Sequence, residues 1–241
     1  MKINKIGIIS DIHLPYEHTL ALNKALFLLK VEKPDVIVAN GDILDFPGLS
    51  RYTQMPNFNK LTIHDELVLG LQFFSDLRKQ HPKARIVYVN GNHDHRIASY
   101  TIRLAPELFQ YIDLVRDLKL NELGVEFIKT QEGAAKWTDT FFSIEDVVIG
   151  HFDTVSNPVI PSGMTIRSIM QKKIKSQSVI QSHIHRGAII WDTNENGKTR
   201  FGVECPCLCK DAFYSGFSNW QRGLVFIDRT EQGWRPRLIC F

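Results

Sequence analysis

Aspartate, asparagine and histidine recur in this chain at short, fixed spacings directly after apolar runs. The clusters are Asp11 with His13, Asp42 with Asp45, Asn92 with His93 and Asp94, His151 alone, and His183 with His185. Carboxylate and amide oxygens combined with imidazole nitrogens suit Mn, Fe, Zn, Ni or Co. No cysteine stands among them, which disfavours a purely structural zinc site. Taken singly, each cluster is a weak signal. Asp-x-His fits a turn beside a surface histidine, and Gly-Asp after a strand fits a cap or turn. A lone Gly-His carries little, and His-x-His on a strand places two rings on one face that water can cover. Gly91-Asn92-His93-Asp94 is more specific, because three consecutive ligand-type residues follow one apolar run. All five in this order, each after a strand, point to one site.

The elements that must position these residues alternate. Residues 5–9, 36–39 and 86–89 read as buried apolar strands, and 20–29 and 61–77 as helices between them. Continuous apolar strands separated by helices predict a parallel sheet covered on both faces. A strand within 141–149 ends at Gly150-His151, a helix covers 165–175, and Val179-Ile180 leads into Ser182-His183-Ile184-His185. Strands are expected over 188–191, 200–205, 223–228 and 237–240, with a hairpin turn at Asn196-Gly197. The reading is α/β, with two sheets packed together and helices outside. In such sheets ligands bind at the carboxyl ends of strands, where the polar clusters stand.

Bulk properties narrow the field. The 241 residues suit one α/β domain. The formal net charge of +3 is too small to declare a nucleic-acid binder. Lys172, Lys173 and Lys175 read as a solvated helix face. No stretch approaches the ~20 apolar residues that cross a bilayer. The apolar run after Met1-Lys2 is too short for a secretion signal and reads as a buried strand of a cytoplasmic protein. Cys205, Cys207 and Cys209 alternate along an expected strand and would share one face as reduced thiols; nothing suggests a disulfide framework.

The ordered set Asp11-Ile12-His13, Gly41-Asp42-Ile43-Leu44-Asp45, Gly91-Asn92-His93-Asp94, Gly150-His151 and Ser182-His183-Ile184-His185 resembles the calcineurin-like metallophosphoesterase superfamily. Its one departure is Ser182, where that pattern has glycine. The tail, with Cys205-Pro206-Cys207-Leu208-Cys209, Trp220 and Gly223, more loosely resembles phage-encoded members. The resemblance implies a four-layer α-β-β-α sandwich of two mixed sheets flanked by helices, as a single domain over 1–241. It implies two divalent metal ions, Mn first, with Fe, Zn, Ni, Co or Mg as alternatives. Asp11, His13 and His185 would bind the first, Asn92, His151 and His183 the second, and Asp42 both. His93 would sit by the leaving-group oxygen, with Asp45 bonding it and keeping it cationic. Asp94 would support the ligands from behind. His95 and Arg96 would reach a substrate phosphate, as would Arg51 in a short insertion with Tyr52 and Phe58. Two cations about 3.5–4 Å apart share a bridging water and make a hydroxide available near neutral pH.

The substrate reading works by exclusion. Protein phosphatases of this superfamily carry Asp-Arg-Gly in the second motif and an arginine before the third; here those places hold Asp45-Phe46-Pro47 and Asn90. A histidine, not an arginine, stands at 93, which sets aside the lipid A pathway pyrophosphatases. A phosphodiesterase on nucleic acid or nucleotides remains, acting in the cytoplasm (the host's, if phage-encoded). The alternatives are a phosphomonoesterase, or a metal- or nucleotide-binding protein without turnover. The sequence leaves the oligomeric state open.

Overall fold

The computed structural model describes residues 2–50, 61–129, 140–153, 161–211 and 219–241. Arg51, Tyr52 and Phe58 lie outside them. Three apolar strands, β1 (Lys5–Ile9), β2 (Val36–Asn40) and β3 (Arg85–Val89), run parallel and are joined by helices α1 (Thr19–Glu32) and α2 (Ile63–Gln80). Helix α1 starts where the His18 side chain accepts from Ala21 N, and buries Ala21, Ala25 and Leu29 at four-residue spacing. Helix α2 opens on a capping box between Thr62 and Asp65 and buries Phe73, Phe74 and Leu77.

Beyond β3 come α3 (Arg96–Leu104), α4 (Leu114–Asp117) and the parallel strand β4 (Val125–Ile128). The six-stranded sheet is completed by β10 (Gly223–Thr230), antiparallel to β1, and β11 (Gly233–Cys240), in the order β11-β10-β1-β2-β3-β4. The second sheet holds β5 (Phe141–Ile144), β6 (Val147–Gly150), β7 (Ser178–Gln181), β8 (Ala188–Thr193) and β9 (Thr199–Glu204), in the order β5-β6-β7-β9-β8. There β6, β7 and β9 are parallel, and both edges are antiparallel.

Strand alternation builds the layers. Ile6, Ile8, Val36, Val38, Val87 and Val89 point from the first sheet into a core shared with Phe142, Ile144, Val147, Ile149, Ile180 and Val203 of the second. Ile37, Ala39, Ile86 and Tyr88 point the other way, onto α1 and α2. Helix α5 (Met164–Lys172) covers the far face of the second sheet with Ile166, Ile169 and Met170 over Val148 and Val179. This is the four-layer sandwich of two mixed sheets.

The strand expected within 141–149 is present as β6, ending at Gly150, and β5 pairs with it in a hairpin that turns at Glu145, with its left-handed φ of 51°. One local expectation changes. Strand β9 stops at Glu204, so no strand carries all three cysteines. Pro206 has no N–H for a ladder. Cys207 and Cys209 make only isolated bridges, and all three thiols are buried.

Candidate metal centre

The ends of β1, β2 and β3 enter loops that remain bonded to one another. Asp11 N donates to Gly41 O (3.1 Å), and His13 N donates to Asp42 O (3.0 Å). To turn their side chains inward, Asp11, His13, Asp42, His183 and His185 take left-handed φ values of 51°, 53°, 52°, 75° and 58°. Such conformations cost roughly 1–3 kcal/mol each for residues other than glycine, and they persist where surrounding bonds over-determine them. Asp94 supplies many of those bonds. Its buried carboxylate accepts from the backbone N–H groups of Asp42 (2.7 Å), Ile43 (3.0 Å), Leu44 (2.8 Å) and Gly91 (2.9 Å). Burial, and then the Asp42 charge, push its pKa up to about 6. Two glycines make the approach possible: a Cβ on Gly41 would lie 2.4 Å from His151 Nδ1, and one on Gly91 would lie 2.3 Å from Asp42 N.

Among the described residues the donors converge as four overlapping groups, of which His13 with Asp45 and His93, and His13 with His185 and Cys209, are two; the other two share Asp42. Asp11, His13 and Asp42 bring one ligand atom each within 4.8 Å of one another, and so do Asp42, His151 and His183. Asp42 belongs to both. His185 Nε2 lies 3.2 Å from Asp11 Oδ1, and His151 Nε2 lies 3.1 Å from Asp42 Oδ2. Asn92 Oδ1 stands 2.9 Å from both His151 Nε2 and His183 Nδ1. Asp11 Oδ1 and His13 Nε2 are buried without an aligned hydrogen-bond partner among the described residues. A buried carboxylate oxygen and a buried imidazole nitrogen that lack well-aligned hydrogen bonds are costly, and Asp11 Oδ1 has the His185 ion pair to offset this. Both are facing ligand atoms, so the residues fit a pair of cations.

The electrostatics agree. Burial opposes ionisation at Asp11, yet His185 beside it holds its pKa low; at Asp42 burial is overcome by His151 and His93. Burial also disfavours charge on His151 and His185, but Asp42 raises the first to about 9 and Asp11 raises the second to about 10. His183 is pushed down to about 3, by burial and then by His151. The carboxylates thus favour positive charge between them.

Beside this cluster, Asp45 Oδ1 binds two rings, His93 Nδ1 at 2.5 Å and His13 Nδ1 at 2.7 Å. The expected Asp45–His93 bond is present, but a charge on His93 is not favoured. Burial lowers its pKa and His13 adds to the lowering, while Arg96 Nη2 stands 3.0 Å from its Nε2. Arg96 also donates to the Asp45 carbonyl (2.8 Å), so it lies at the cluster as expected. His95 does not join it; its Nδ1 lies 3.4 Å from the Asn90 amide.

Three contributors were not assigned to the site from the sequence. Asn40 donates through Nδ2 to Gly150 O (3.0 Å) and Ser182 Oγ (2.6 Å), and its carbonyl faces His151 Nδ1 (3.1 Å). The serine in the glycine place therefore has a partner. Trp220 packs edge-on against His185 with ring centroids 4.2 Å apart, and Cys209 Sγ lies 3.7 Å from His185 Nδ1. A polar residue directly before Gly41-Asp42 was the one available clue to Asn40.

The model of the calcineurin-like phosphoesterase family matches residues 4–187. The chain belongs to that family. It is 28% identical over 251 residues to the gene 54 protein of Mycobacterium phage D29, covering 98% of this chain and 92% of that protein. Among solved structures it is similar to Vps29 of Chaetomium thermophilum, at 11% identity, TM-score 0.46, and coverage of 100% and 97% of the two chains. It is similar also to Yfce, a phosphoesterase from E. coli, at 13% identity, TM-score 0.44, and coverage of 98% and 99%. No helix among the described residues is long and apolar enough to cross a membrane.

Proposed function

We propose that this chain is a two-metal phosphodiesterase acting on nucleic acid or nucleotides. The observation that carries the reading is Asp42, one carboxylate shared by two donor groups. Asp11, His13 and His185 would hold one divalent ion, Asn92, His151 and His183 the other, and Asp42 both; Mn suits the O and N donors. When bound, such a pair activates water and offsets charge on the phosphoryl oxygens.

The protein's own groups do the rest. Asp45 fixes the His93 ring through Nδ1, which turns Nε2 toward Arg96 and Asp42. In the neutral ring His93 Nε2 accepts from Arg96; once protonated there, it is placed to give a proton to a departing oxygen, which frees Arg96 to hold a phosphate oxygen. The preference for diesters rests on the places where protein phosphatases keep arginine. Here Phe46 and Asn90 are buried, and among the described residues Arg96 is the guanidinium found at His93. A dianionic monoester is best held by several such groups. Arg96 is also the observation that favours the second reading, a phosphomonoesterase. The phage relative supports action in a host cytoplasm.

The test is turnover by metal-free protein reloaded with Mn, on bis-nitrophenyl phosphate, nitrophenyl phosphate, cyclic nucleotides and single-stranded DNA. Diester cleavage that chelation abolishes and Mn restores is expected. Faster monoester cleavage selects the second reading, and metal binding without turnover of any substrate would sink both.

A further inference from the structure

The imidazoles of the site each have two ring nitrogens, and in three of them Nδ1 points away from the cluster centre or to its rim. His13 Nδ1 faces the Asp45 carboxylate at 2.7 Å, and His151 Nδ1 faces the Asn40 carbonyl at 3.1 Å. His185 Nδ1 faces sulfur: Cys209 Sγ at 3.7 Å. Cys207 is buried nearby, its Sγ donating to Gln221 O (3.5 Å). Neither thiol has a part in the proposed reaction.

These thiols are held in place from several sides. Ser10 Oγ donates to Pro206 O (3.3 Å), Leu208 N donates to Asp11 O (3.0 Å), and Cys207 N donates to Gln221 O (2.9 Å). Gln221 N in turn donates to the His185 carbonyl (2.8 Å). The Cys205–Cys209 segment is thereby tied to the end of β1 that presents Asp11, and the His185 ring is boxed between Cys209 and Trp220. The segment could not move without moving Asp11 or His185.

We infer that Cys209, backed by Cys207, is a positioning residue for His185: its sulfur accepts a hydrogen bond from Nδ1–H and so keeps Nε2 facing the Asp11 side of the cluster. The inference rests on the reading that His185 Nε2 holds a metal ion. A neutral imidazole that ligates through Nε2 must carry its proton on Nδ1 and needs an acceptor there. Losing such an outer partner costs 10–100-fold in metal affinity at other sites. A thiol is a weak acceptor in an apolar pocket, and Cys207 beside it adds polarity where water is excluded.

The experiment measures Mn binding to metal-free protein by electron paramagnetic resonance of the free ion. It uses wild type, Cys209→Ala, Cys209→Ser and Cys240→Ala. Cys240 is exposed and serves as the control. One of the two ions should bind roughly 10–100-fold more weakly in Cys209→Ala, with part of the loss recovered in Cys209→Ser and none seen in Cys240→Ala. Circular dichroism checks the fold; should the alanine variant unfold, the serine variant carries the test with a smaller shift. Unchanged affinity for both ions in a folded Cys209 variant overturns the inference while leaving the two-metal reading intact. An intense sulfur-to-metal charge-transfer band in Co-loaded wild type also overturns it, since Cys209 would then be a ligand. Wild type that binds no Mn overturns both.

Discussion

The two sheets bring different chemistry to their shared edge. The first sheet delivers every carboxylate of the cluster: Asp11 after β1, Asp42 and Asp45 after β2, with the Asn92 amide and His93 after β3. The second sheet delivers only imidazoles, His151 after β6 and His183 and His185 after β7. Negative charge thus comes from one sheet, and the other adds imidazoles alone. The loops of the first sheet are bonded to one another and anchored on Asp94, whereas the two sheets meet at the site mainly through side chains. Cations bound there would tie the sheets together, and the first sheet's residues should matter more than the second's.

The largest expected effect breaks that asymmetry at its centre. Asp42→Asn should weaken both ions and lower activity by more than any single histidine substitution. His151→Ala should weaken mainly one. Calorimetric Mn titration of both variants checks this. Equal effects would mean that the two sheets contribute alike. The next effect is at His93. As a proton donor it is worth roughly 10²–10⁴-fold, so His93→Ala should retain its Mn and react slowly. The loss should be full on a deoxyribose leaving group and smaller on nitrophenolate, which departs without a proton. Equal losses on both would assign His93 to charge stabilisation, and lost Mn would make it a ligand.

Asn40 sharpens the comparison, since its side chain reaches from the end of β2 to Gly150 of β6 and Ser182 after β7. Asn40→Ala removes two buried hydrogen bonds and leaves the Gly150 carbonyl and Ser182 hydroxyl to find others. A loss of about 1–3 kcal/mol in urea unfolding is expected, with weaker Mn binding because the His151 ring loses its register with Asp42. Lost stability with unchanged Mn affinity would separate the clamp from the site.

The difference between the sheets also explains what the sequence revealed. Parallel strands buried on both faces write themselves as unbroken apolar runs, so β1, β2 and β3 and the candidate ligands after them were legible. Residues such as Asp11, His13 and Asp42 stand at fixed offsets from those runs. Three features were illegible for physical reasons. Strand β4 lies at a sheet edge, with Glu126 exposed to pair with Arg85, so its pattern is broken. The Cys205–Cys209 path is set by contacts with Asp11 and Gln221, far away in sequence. The state of His93 depends on its burial and on the balance of charge from Asp42, His13 and Asp45, which the order of motifs does not express. Arg96 was nonetheless found from its place after the third motif, while its neighbour His95 turned to Asn90.

The smallest effect concerns how the first sheet's loop is held from outside. Glu66, buried on α2, accepts from Phe46 N (2.8 Å), the residue after Asp45, which itself takes a left-handed φ of 46°. Burial, and then the Asp45 charge, raise its pKa from 4.5 to about 7, against the Phe46 N–H and Arg96. The sign follows from proton counting. Between pH 4.5 and about 7 the folded protein keeps this proton and the unfolded chain has lost it, so stability falls as pH rises through that window. The loss is on the order of 1–3 kcal/mol. Asp94, raised to about 6, and Asp153, raised to about 7, slope the same way and must be subtracted. Glu66→Gln does that, because its amide oxygen still accepts from Phe46 N and has no proton to lose. Urea midpoints of metal-free wild type and Glu66→Gln, taken from pH 4.5 to 8, should converge on different slopes, the variant's being shallower by Glu66's share. Parallel slopes would show that Glu66 ionises freely, and that the Asp45 loop is held by Asp94 and Arg96 without it.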